Sequence, residues 1–311
     1  MRRNIRARSA SSLTSDPDDE PILFHNQGTI MTMKTTILGL TLLAAVFAPL
    51  ATPAMADQLQ DILSSKKLRC GTFADVPPFA SPDPKTREMV GFDVDLCKAI
   101  AARLGVSATI TPLSVEARVP EVKLGHVDVT IANLAYTVSR AQQIQFSDPY
   151  YIAKEMLAVK ASDPGTTRAD FKGKRLAATK GSTSELSIKL NESDPLTFQD
   201  TGSVFMAVQQ NKAVGMVANT MTITKLVNDS QKNGVPLKMI QDPMLLEPIG
   251  VGMKLGEPAL LAKINETLVA LDNDGEINKL WDKWLGPNTE YKMTRTEKVT
   301  PLKDLKFTPI P

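Results

Sequence analysis

Two spacings of apolar residues alternate along residues 57–288, and together they predict short strands separated by helices. The segment "VDVTIAN" places Val127, Val129 and Ile131 at every second position, which is the repeat of a strand with two different faces. The segment "FDVDLCKAIAARLG" instead spaces its apolar residues by three or four, so that they share one face of a helix over 93–104. The chain therefore combines strand and helix patterns in succession.

Further strands and helices continue this alternation. Strands are predicted in "LRCGTF", "ATITPL", "KRLAATKG", "LTFQD" and "VGMVAN", and helices over 115–124, 183–191, 203–211, 221–231, 258–271 and 275–285. Strands that alternate with helices usually pair in parallel, so the pattern predicts an α/β fold with largely parallel sheets. Because the same pattern restarts near residue 173, we expect two lobes.

The first 56 residues predict an export signal that is removed from the mature protein. From Met31 the chain has one lysine, an apolar run over 37–48 and a small-residue cleavage site that ends at Ala56. The run is shorter than the ~18 to 20 residues that a membrane span requires. Residues 1–30 precede this signal without apolar periodicity and are interpreted as a mis-assigned N-terminal extension, with the signal peptide at 31–56. The mature protein is expected in the periplasm.

Charge and composition exclude several classes of protein. Removal of the first 56 residues takes away five of 36 basic and four of 34 acidic residues, which leaves a net charge of about +1 and no basic surface for nucleic acid. The mature chain has a single histidine, His126, and no CxxC, so no metal site is predicted. It also has no GxSxG, P-loop or GxGxxG, and we expect neither a cofactor nor an enzymatic activity.

The mature chain has two cysteines, Cys70 in a predicted strand and Cys97 in the following helix. A strand and the helix that follows it pack together, so a disulfide between them is geometrically reasonable in an oxidising compartment. Two buried free thiols are the alternative.

Two features face the edge of the sheets where α/β proteins bind ligands. Arg140 follows the predicted strand 127–133, and "KGSTSE" follows another strand and opens a helix. Ser182 and Thr183 in that segment could hold an anion at the helix start, or could serve only as helix caps. Arg140 could likewise be an ordinary surface charge.

The motifs in combination resemble a known family. "GFDVDLCKAIAARLG", "VPEVKLGHVDVTIAN", "TVSRAQQIQFSDPYY" and "KGSTSE" follow one another as in the solute-binding proteins of polar amino-acid ABC transporters, bacterial solute-binding protein family 3. The resemblance covers roughly residues 60–288. It implies a type II periplasmic binding protein-like fold, in which two lobes with mostly parallel sheets are joined by a two-strand hinge and close over a small zwitterion.

The resemblance also implies a set of ligand-binding residues. The arginine of T-x-x-R, Arg140 here, would fork onto the ligand carboxylate, helped by Thr183 and Ser182 from the second lobe. Phe73 and Asn133 would line the pocket from the first lobe.

The chain departs from the family at the ammonium end of the ligand. Ala135 stands where relatives have a Ser or Thr, and Asn219 stands where they have an aspartate. A lost charge-assisted bond is worth about 1.5 to 3 kcal/mol, so a carboxylate ligand with a weakly held or absent ammonium becomes an option.

Arg118 falls where acidic amino-acid-binding relatives have an arginine that contacts a side-chain carboxylate. Two arginines in one cleft would favour an acidic ligand. The alternative is a simple ion pair with Glu116 or Glu121.

The resemblance predicts the course of the chain and its role. Lobe 1 is expected over 57–155 and again over 248–288, lobe 2 over 156–247, and an extended tail over 289–311. The expected function is that of a monomeric component of an ABC importer, which delivers a small carboxylate-bearing solute to a permease in the inner membrane. Alternatives are an exported enzyme resembling cyclohexadienyl dehydratases, whose general acid would fall at Asn219, and a partner that presents its ligand to a membrane sensor.

Overall fold

The structure is a computed structural model and describes residues 57–232, 234–307 and 309–311, which belong to one compact unit. The predicted N-terminal extension and signal peptide lie outside the described residues. The first lobe begins with α1 (Gln58–Ser65), β1 (Lys67–Phe73), β2 (Ser81–Pro82), β3 (Met89–Val90), α2 (Phe92–Arg103), β4 (Ser107–Leu113), α3 (Arg118–Lys123), β5 (Val129–Ala135), α4 (Val138–Ala141) and β6 (Ile144–Phe146).

The chain then crosses into a second lobe through β7 (Tyr151–Lys160). That lobe contains a 3₁₀ turn (Arg168–Phe171), β8 (Arg175–Thr179), α5 (Thr183–Leu190), β9 (Asp194–Phe198), α6 (Thr201–Gln209), β10 (Gly215–Asn219) and α7 (Thr220–Lys232). The long strand β11 (Leu237–Lys254) returns the chain to α8 (Pro258–Asn273) and α9 (Glu276–Trp284) of the first lobe. The predicted alternation of strands and helices is confirmed throughout this range.

The strands run in the order β4-β1-β5-β11-β7-β10-β8-β9, with β6 paired to β11. In the main sheet the pairs within each lobe are parallel, as in β1 with β4 and β5 and in β8 with β9 and β10, whereas β2 and β3 form a separate antiparallel pair. The crossing strands β7 and β11 are antiparallel to each other and to their neighbours β10 and β5. Their mutual register breaks between Ile240 and Leu245, so the two lobes are joined by a pair of strands that bends once. The predicted lobe limits at residues 155 and 247 fall inside these strands and remain predictions.

Each lobe has its own apolar core. β7 turns Met156 and Ala158 toward α6 and α7, and it turns Leu157 and Val159 toward the opposite side of the sheet. The first-lobe core gathers residues from β1, α2, β5, α8 and α9, and Trp281 lies in it against Tyr151. Trp281 is therefore a core residue.

Cys70 and Cys97 form a disulfide that ties β1 to α2, with their Cα atoms 6.4 Å apart. Both residues are fully buried in the first-lobe core. The disulfide prediction is confirmed, and the alternative of two free thiols is wrong.

One helix and one strand have limits that differ from their predictions. The helix predicted over 115–124 is α3, which begins only at Arg118, and the strand predicted over 127–133 is β5, which runs from Val129 to Ala135. Asp128 accepts hydrogen bonds from the backbone and side chain of Arg69, which places it before the strand. The later end follows from pairing with β11, where Ile249 lies opposite Ala135.

After α9 the chain forms turns and bends over 285–291, and a 3₁₀ turn at Leu302–Asp304 follows in the described part of the tail. Arg295 within it is buried, forms an ion pair with Asp272 (2.6 Å) and donates to the carbonyl of Tyr150. Near the end of the chain, the carbonyl of Ile310 accepts from the amide of Val138 at 2.8 Å. The tail is thus fixed to the first lobe beside α4.

Candidate functional site

The two lobes enclose a small cavity of about 40 Å³ where several strands end. The carboxyl ends of β1, β5, β8 and β10 meet the beginnings of α3, α5, α6 and α7 there, which is the usual ligand position in α/β sheets. Six predicted ligand residues line it: Phe73, Arg118, Asn133, Ser182, Thr183 and Asn219. The wall also contains Val76, Val115, Glu155, Thr179, Ser184, Thr201, Ala218 and Thr222.

Arg140 lies beside this cavity and connects the two lobes. Its Nη1 donates to the carbonyl of Ala135 at 2.9 Å in its own lobe, and its Nη2 donates to the carbonyl of Gly181 at 3.1 Å in the other. The side chain of Thr137 accepts from the Arg140 amide at 3.1 Å and caps α4, so the "TVSR" turn fixes the start of the arginine side chain. Arg140 and Ala135 thus contact each other and are not among the residues that line the cavity. Their predicted roles in ligand binding remain predictions.

A second pair of residues joins the lobes at the same rim. Lys180, at the end of β8, forms an ion pair with Glu116, just before α3, with 2.9 Å between Nζ and Oε1. The two side chains are 53% and 37% exposed, so solvent weakens this pair, as is usual at protein surfaces. Together with the Arg140 to Gly181 bond, it shows that the lobes are in contact across the mouth of the cavity.

Arg118 is buried in the cavity wall with 4% of its surface exposed. Its Nε donates to Val115 O at 2.9 Å and its Nη1 to Ala132 O at 2.8 Å, while the guanidinium carbon lies 4.9 Å from the centre of the Phe73 ring. Burial lowers the pKa of Arg118 to about 9, so the side chain is still a cation at neutral pH.

The alternative interpretation of Arg118 as a simple ion-pair partner is wrong, because both suggested partners are engaged elsewhere. Glu116 pairs with Lys180, and the carboxylate of Glu121 contacts His126 at 2.9 Å. Arg118 is therefore a wall residue of the cavity.

Ser182 caps α5, as its alternative interpretation held. Its hydroxyl accepts from the amide of Glu185 at 3.2 Å and donates to the carbonyl of Thr179 at 2.5 Å. Thr183, the first residue of the helix, is buried and lines the cavity. Of the two hydroxyls predicted to hold an anion, that of Ser182 is therefore already bonded within the protein.

The sequence interpretation missed two buried glutamates, Glu155 on β7 and Glu247 on β11. They are 2% and 1% exposed and are diagonal neighbours on the paired strands, since Glu155 lies opposite Leu245 and Glu247 opposite Ala153. Ser184 Oγ donates to Glu155 Oε2 at 2.6 Å. Burial, and then the neighbouring Glu247, raise the pKa of Glu155 well above its usual value, and burial also raises the pKa of Glu247.

One signal in the sequence could have identified Glu155. In the strand "YIAKEMLAVK", Glu155 lies on the same face as Tyr151, Ala153, Leu157 and Val159, because these residues alternate along the chain, and all of them are buried. A carboxylate on the apolar face of a strand requires a partner or a function. Glu247 lies in a segment of mixed pattern and gives no such signal.

Asn133 reaches the cavity because β5 bulges. Its φ is +42°, in the left-handed region that asparagine tolerates better than most residues. The pairing of β5 with β11 loses register here, since Gly250 lies opposite Leu134 but Gly252 opposite Thr130. Bulges commonly redirect side chains next to binding sites.

Asp93, at the start of α2, lies behind this bulge and is fully buried. Burial raises the pKa of Asp93 to about 8, although the backbone of Asn133 and the charge of Arg118 act in the opposite direction. An uncharged Asp93 beside the cavity wall leaves the positive charge of Arg118 uncompensated from that side.

Neither a metal centre nor a membrane span occurs in the described part of the chain. Within these ranges, His, Cys, Asp and Glu side chains are nowhere grouped in threes so as to hold a metal ion. No helix among the same residues has the length and apolar character to cross a bilayer.

The fold and cavity define a class of protein, the type II periplasmic binding proteins, whose two lobes close over a small solute. The chain belongs to the bacterial extracellular solute-binding proteins, family 3, whose model matches residues 68–287. The family resemblance seen in the motifs is thus confirmed, and amino-acid-binding components of ABC transporters are its curated relatives.

Three similar proteins illustrate the relationship. The ABC transporter arginine-binding protein 1 of Escherichia coli K12 is 28% identical over 224 residues, which cover 71% of this chain and 91% of that protein. An ancestral arginine-binding protein solved with arginine is 32% identical, with a TM-score of 0.65 over 71% of this chain and 99% of its own. An ancestral amino-acid-binding protein, described as a precursor of cyclohexadienyl dehydratase, is 30% identical, with a TM-score of 0.65 over 73% of this chain and 99% of its own.

Proposed function

We propose that this protein binds a small amino acid between its lobes in the periplasm and delivers it to the permease of an ABC importer. The observation that carries this proposal is the enclosed cavity, whose wall presents the buried cation Arg118 and the buried carboxyl group of Glu155. A wall that combines a cation with a carboxyl group, which an adjacent ammonium would favour in its ionised form, is complementary to a zwitterion. Breaking no bond itself, the protein acts as a monomer whose closed form docks on the permease.

The relatives support the ligand class. The first curated relative is named for arginine, and a similar solved structure contains arginine. Closure requires only the bend in β7 and β11, since these two strands connect the lobes. Binding of ligand to one lobe then recruits the other through contacts such as that of Arg140 with Gly181.

A thermal-shift screen of the exported protein, expressed from the full-length sequence, tests this proposal. A ligand that binds only the folded state raises the melting temperature, by an amount that grows with its concentration relative to Kd. We expect at least one of the standard L-amino acids to raise it and to give a saturable signal in isothermal titration. The absence of binding by every L-amino acid and small carboxylate would contradict the proposal.

The proposed export adds a separate check on the N-terminus. We expect signal cleavage after Ala56, so the mass of protein recovered from the periplasm should correspond to a chain that begins at Asp57. A mass that retains residues 1–56 would contradict export by this signal.

A dehydratase-like enzyme is the second candidate, and one observation favours it. The position expected to supply a general acid holds Asn219, which cannot donate a proton in that role. Glu155, however, places a carboxyl group in the cavity wall, and burial raises its pKa toward the range in which it stays protonated. Incubation with prephenate and arogenate, followed by detection of their aromatic products, distinguishes the two: turnover would favour the enzyme, and its absence together with amino-acid binding favours the transport role.

A further inference from the structure

The two positions where relatives hold the ligand's ammonium supply neither a carboxylate nor a hydroxyl here. Ala135 has no polar side chain. Asn219 lines the cavity, but its Oδ1 accepts from the amide of Thr222 at 3.0 Å and so caps the start of α7. An ammonium in this cavity therefore needs other acceptors.

Other acceptors are present in the same wall. Asn133 Oδ1 and Thr222 Oγ1 are both buried and have no hydrogen-bond partner among the residues that the structure describes. A buried acceptor without a partner costs about 1 to 3 kcal/mol, so two of them in one small cavity indicate a ligand that donates hydrogen bonds. Glu155 is the acidic side chain of that wall.

The protein holds Glu155 in place from several elements. Ser184 on α5 donates to its Oε2 at 2.6 Å, and Glu247 lies diagonally across from it on the paired strand β11. The charged and titratable groups that face the pair are Arg118 from α3, Arg140 from α4 and Tyr151 from the same strand. The carboxyl group is thus positioned by bonds to the protein, with cations on the first-lobe side.

We propose that Glu155 accepts the ligand's ammonium group, that Asn133 and Thr222 complete this ammonium subsite, and that the protein thereby selects amino acids over the corresponding acids without an amino group. This inference rests on the proposed function and deepens it. It opposes the sequence-based expectation that the substitutions at Ala135 and Asn219 favour a ligand without an ammonium.

The position of the two buried glutamates gives the proposal a second consequence. Burial and Glu247 raise the pKa of Glu155, and burial raises the pKa of Glu247, so these shifts favour a carboxyl group that retains its proton when the cavity contains no cation. An ammonium in contact with Glu155 favours the ionised carboxylate, so binding should release this proton. Isothermal titration in two buffers of different ionisation enthalpy measures the number of protons released.

The central experiment compares Glu155→Gln with the matched control Glu266→Gln, whose carboxylate is exposed and contacts only Lys263 on α8. Both are made in the exported full-length protein and titrated with L-arginine, L-glutamine and L-leucine and with the three corresponding des-amino acids. In the wild type we expect the best amino acid to bind about tenfold or more tightly than its des-amino acid, which is the value of one charge-assisted bond. E155Q should lose that preference and release no proton, whereas E266Q should keep both.

Two further variants keep the test decisive if E155Q does not fold. Glu155→Asp keeps the charge and should retain part of the preference, and Ser184→Ala removes a positioning hydrogen bond and should weaken amino-acid binding while sparing the des-amino acid. Unchanged selectivity in E155Q, or in S184A when E155Q is unfolded, would overturn the inference. Equal binding of both ligand series by the wild type would overturn it while leaving the proposed function intact. Binding of neither series, together with no stabilising amino acid or small carboxylate in the thermal-shift screen, would overturn both.

Discussion

Replacement of Arg140 by lysine separates the charge of this residue from its geometry. The guanidinium donates to Ala135 O in lobe 1 and to Gly181 O in lobe 2, at 2.9 and 3.1 Å. A lysine keeps the positive charge, but its single ammonium lacks the planar fork and cannot make both contacts from the same backbone position. The variant should therefore lose the bond that links the lobes while the net charge of the cleft stays the same.

The magnitude follows from the kind of bond that is lost. A hydrogen bond from a charged donor contributes about 1.5 to 3 kcal/mol, and partial exposure of Arg140 places this one near the lower limit. Since about 1.4 kcal/mol corresponds to a tenfold change, the Kd of R140K for the best amino acid should rise about tenfold. Isothermal titration measures it, with Arg175→Lys as the control, because Arg175 is 61% exposed and pairs only with Asp194 at the far edge of lobe 2. A Kd of R140K within twofold of the wild type would refute this reasoning.

Three further predictions concern stability. Replacement of both Cys70 and Cys97 by alanine removes a disulfide between residues that are 27 positions apart in the chain. The free energy of unfolding, measured with urea, should fall by roughly 3.5 kcal/mol, and an unchanged unfolding midpoint would contradict this. The pKa of about 8 for Asp93 lies above its unfolded value of 3.8, so the folded state retains a proton that the unfolded state loses between those values. The free energy of unfolding of the wild type should thus fall relative to that of Asp93→Asn as pH rises from 4 to 8, by up to about 1.4 kcal/mol per pH unit. Parallel plots of unfolding free energy against pH for the two proteins would contradict this. Ile310→Asp should release the buried end of the tail, so trypsin should cleave the variant within the tail sooner than the wild type, and equal cleavage times would show that Ile310 does not hold it.

Much of the fold follows from local patterns in the sequence. The parity of Val129 and Ile131 identified β5, and the apolar spacing in "FDVDLCKAIAARLG" identified α2, because each element buries one defined face. The exact ends could not be predicted from the same patterns. β5 continues to Ala135 only because β11, more than 100 residues later in the chain, pairs with it.

The sequence motifs predicted several residues of the site, but they did not predict contacts between residues that are far apart in the chain. Arg118, Asn133 and Asn219 lie in the cavity wall as expected. The proximity of Glu155 to Glu247 could not be predicted from the sequence. It depends on the register between β7 and β11, which are separated in the chain by most of lobe 2. The role of Ser182 as a cap was one of two alternatives, and only the contacts of its hydroxyl decided between them.

The account is tested most directly by a crystal structure of the protein grown with the L-amino acid that raises its melting temperature most. We predict that the ligand lies between the lobes in the cavity, with its ammonium within hydrogen-bonding distance of Glu155 and its carboxylate toward the arginines of lobe 1. A ligand bound elsewhere on the surface, or one in the cavity whose ammonium contacts neither Glu155, Asn133 nor Thr222, would contradict the account.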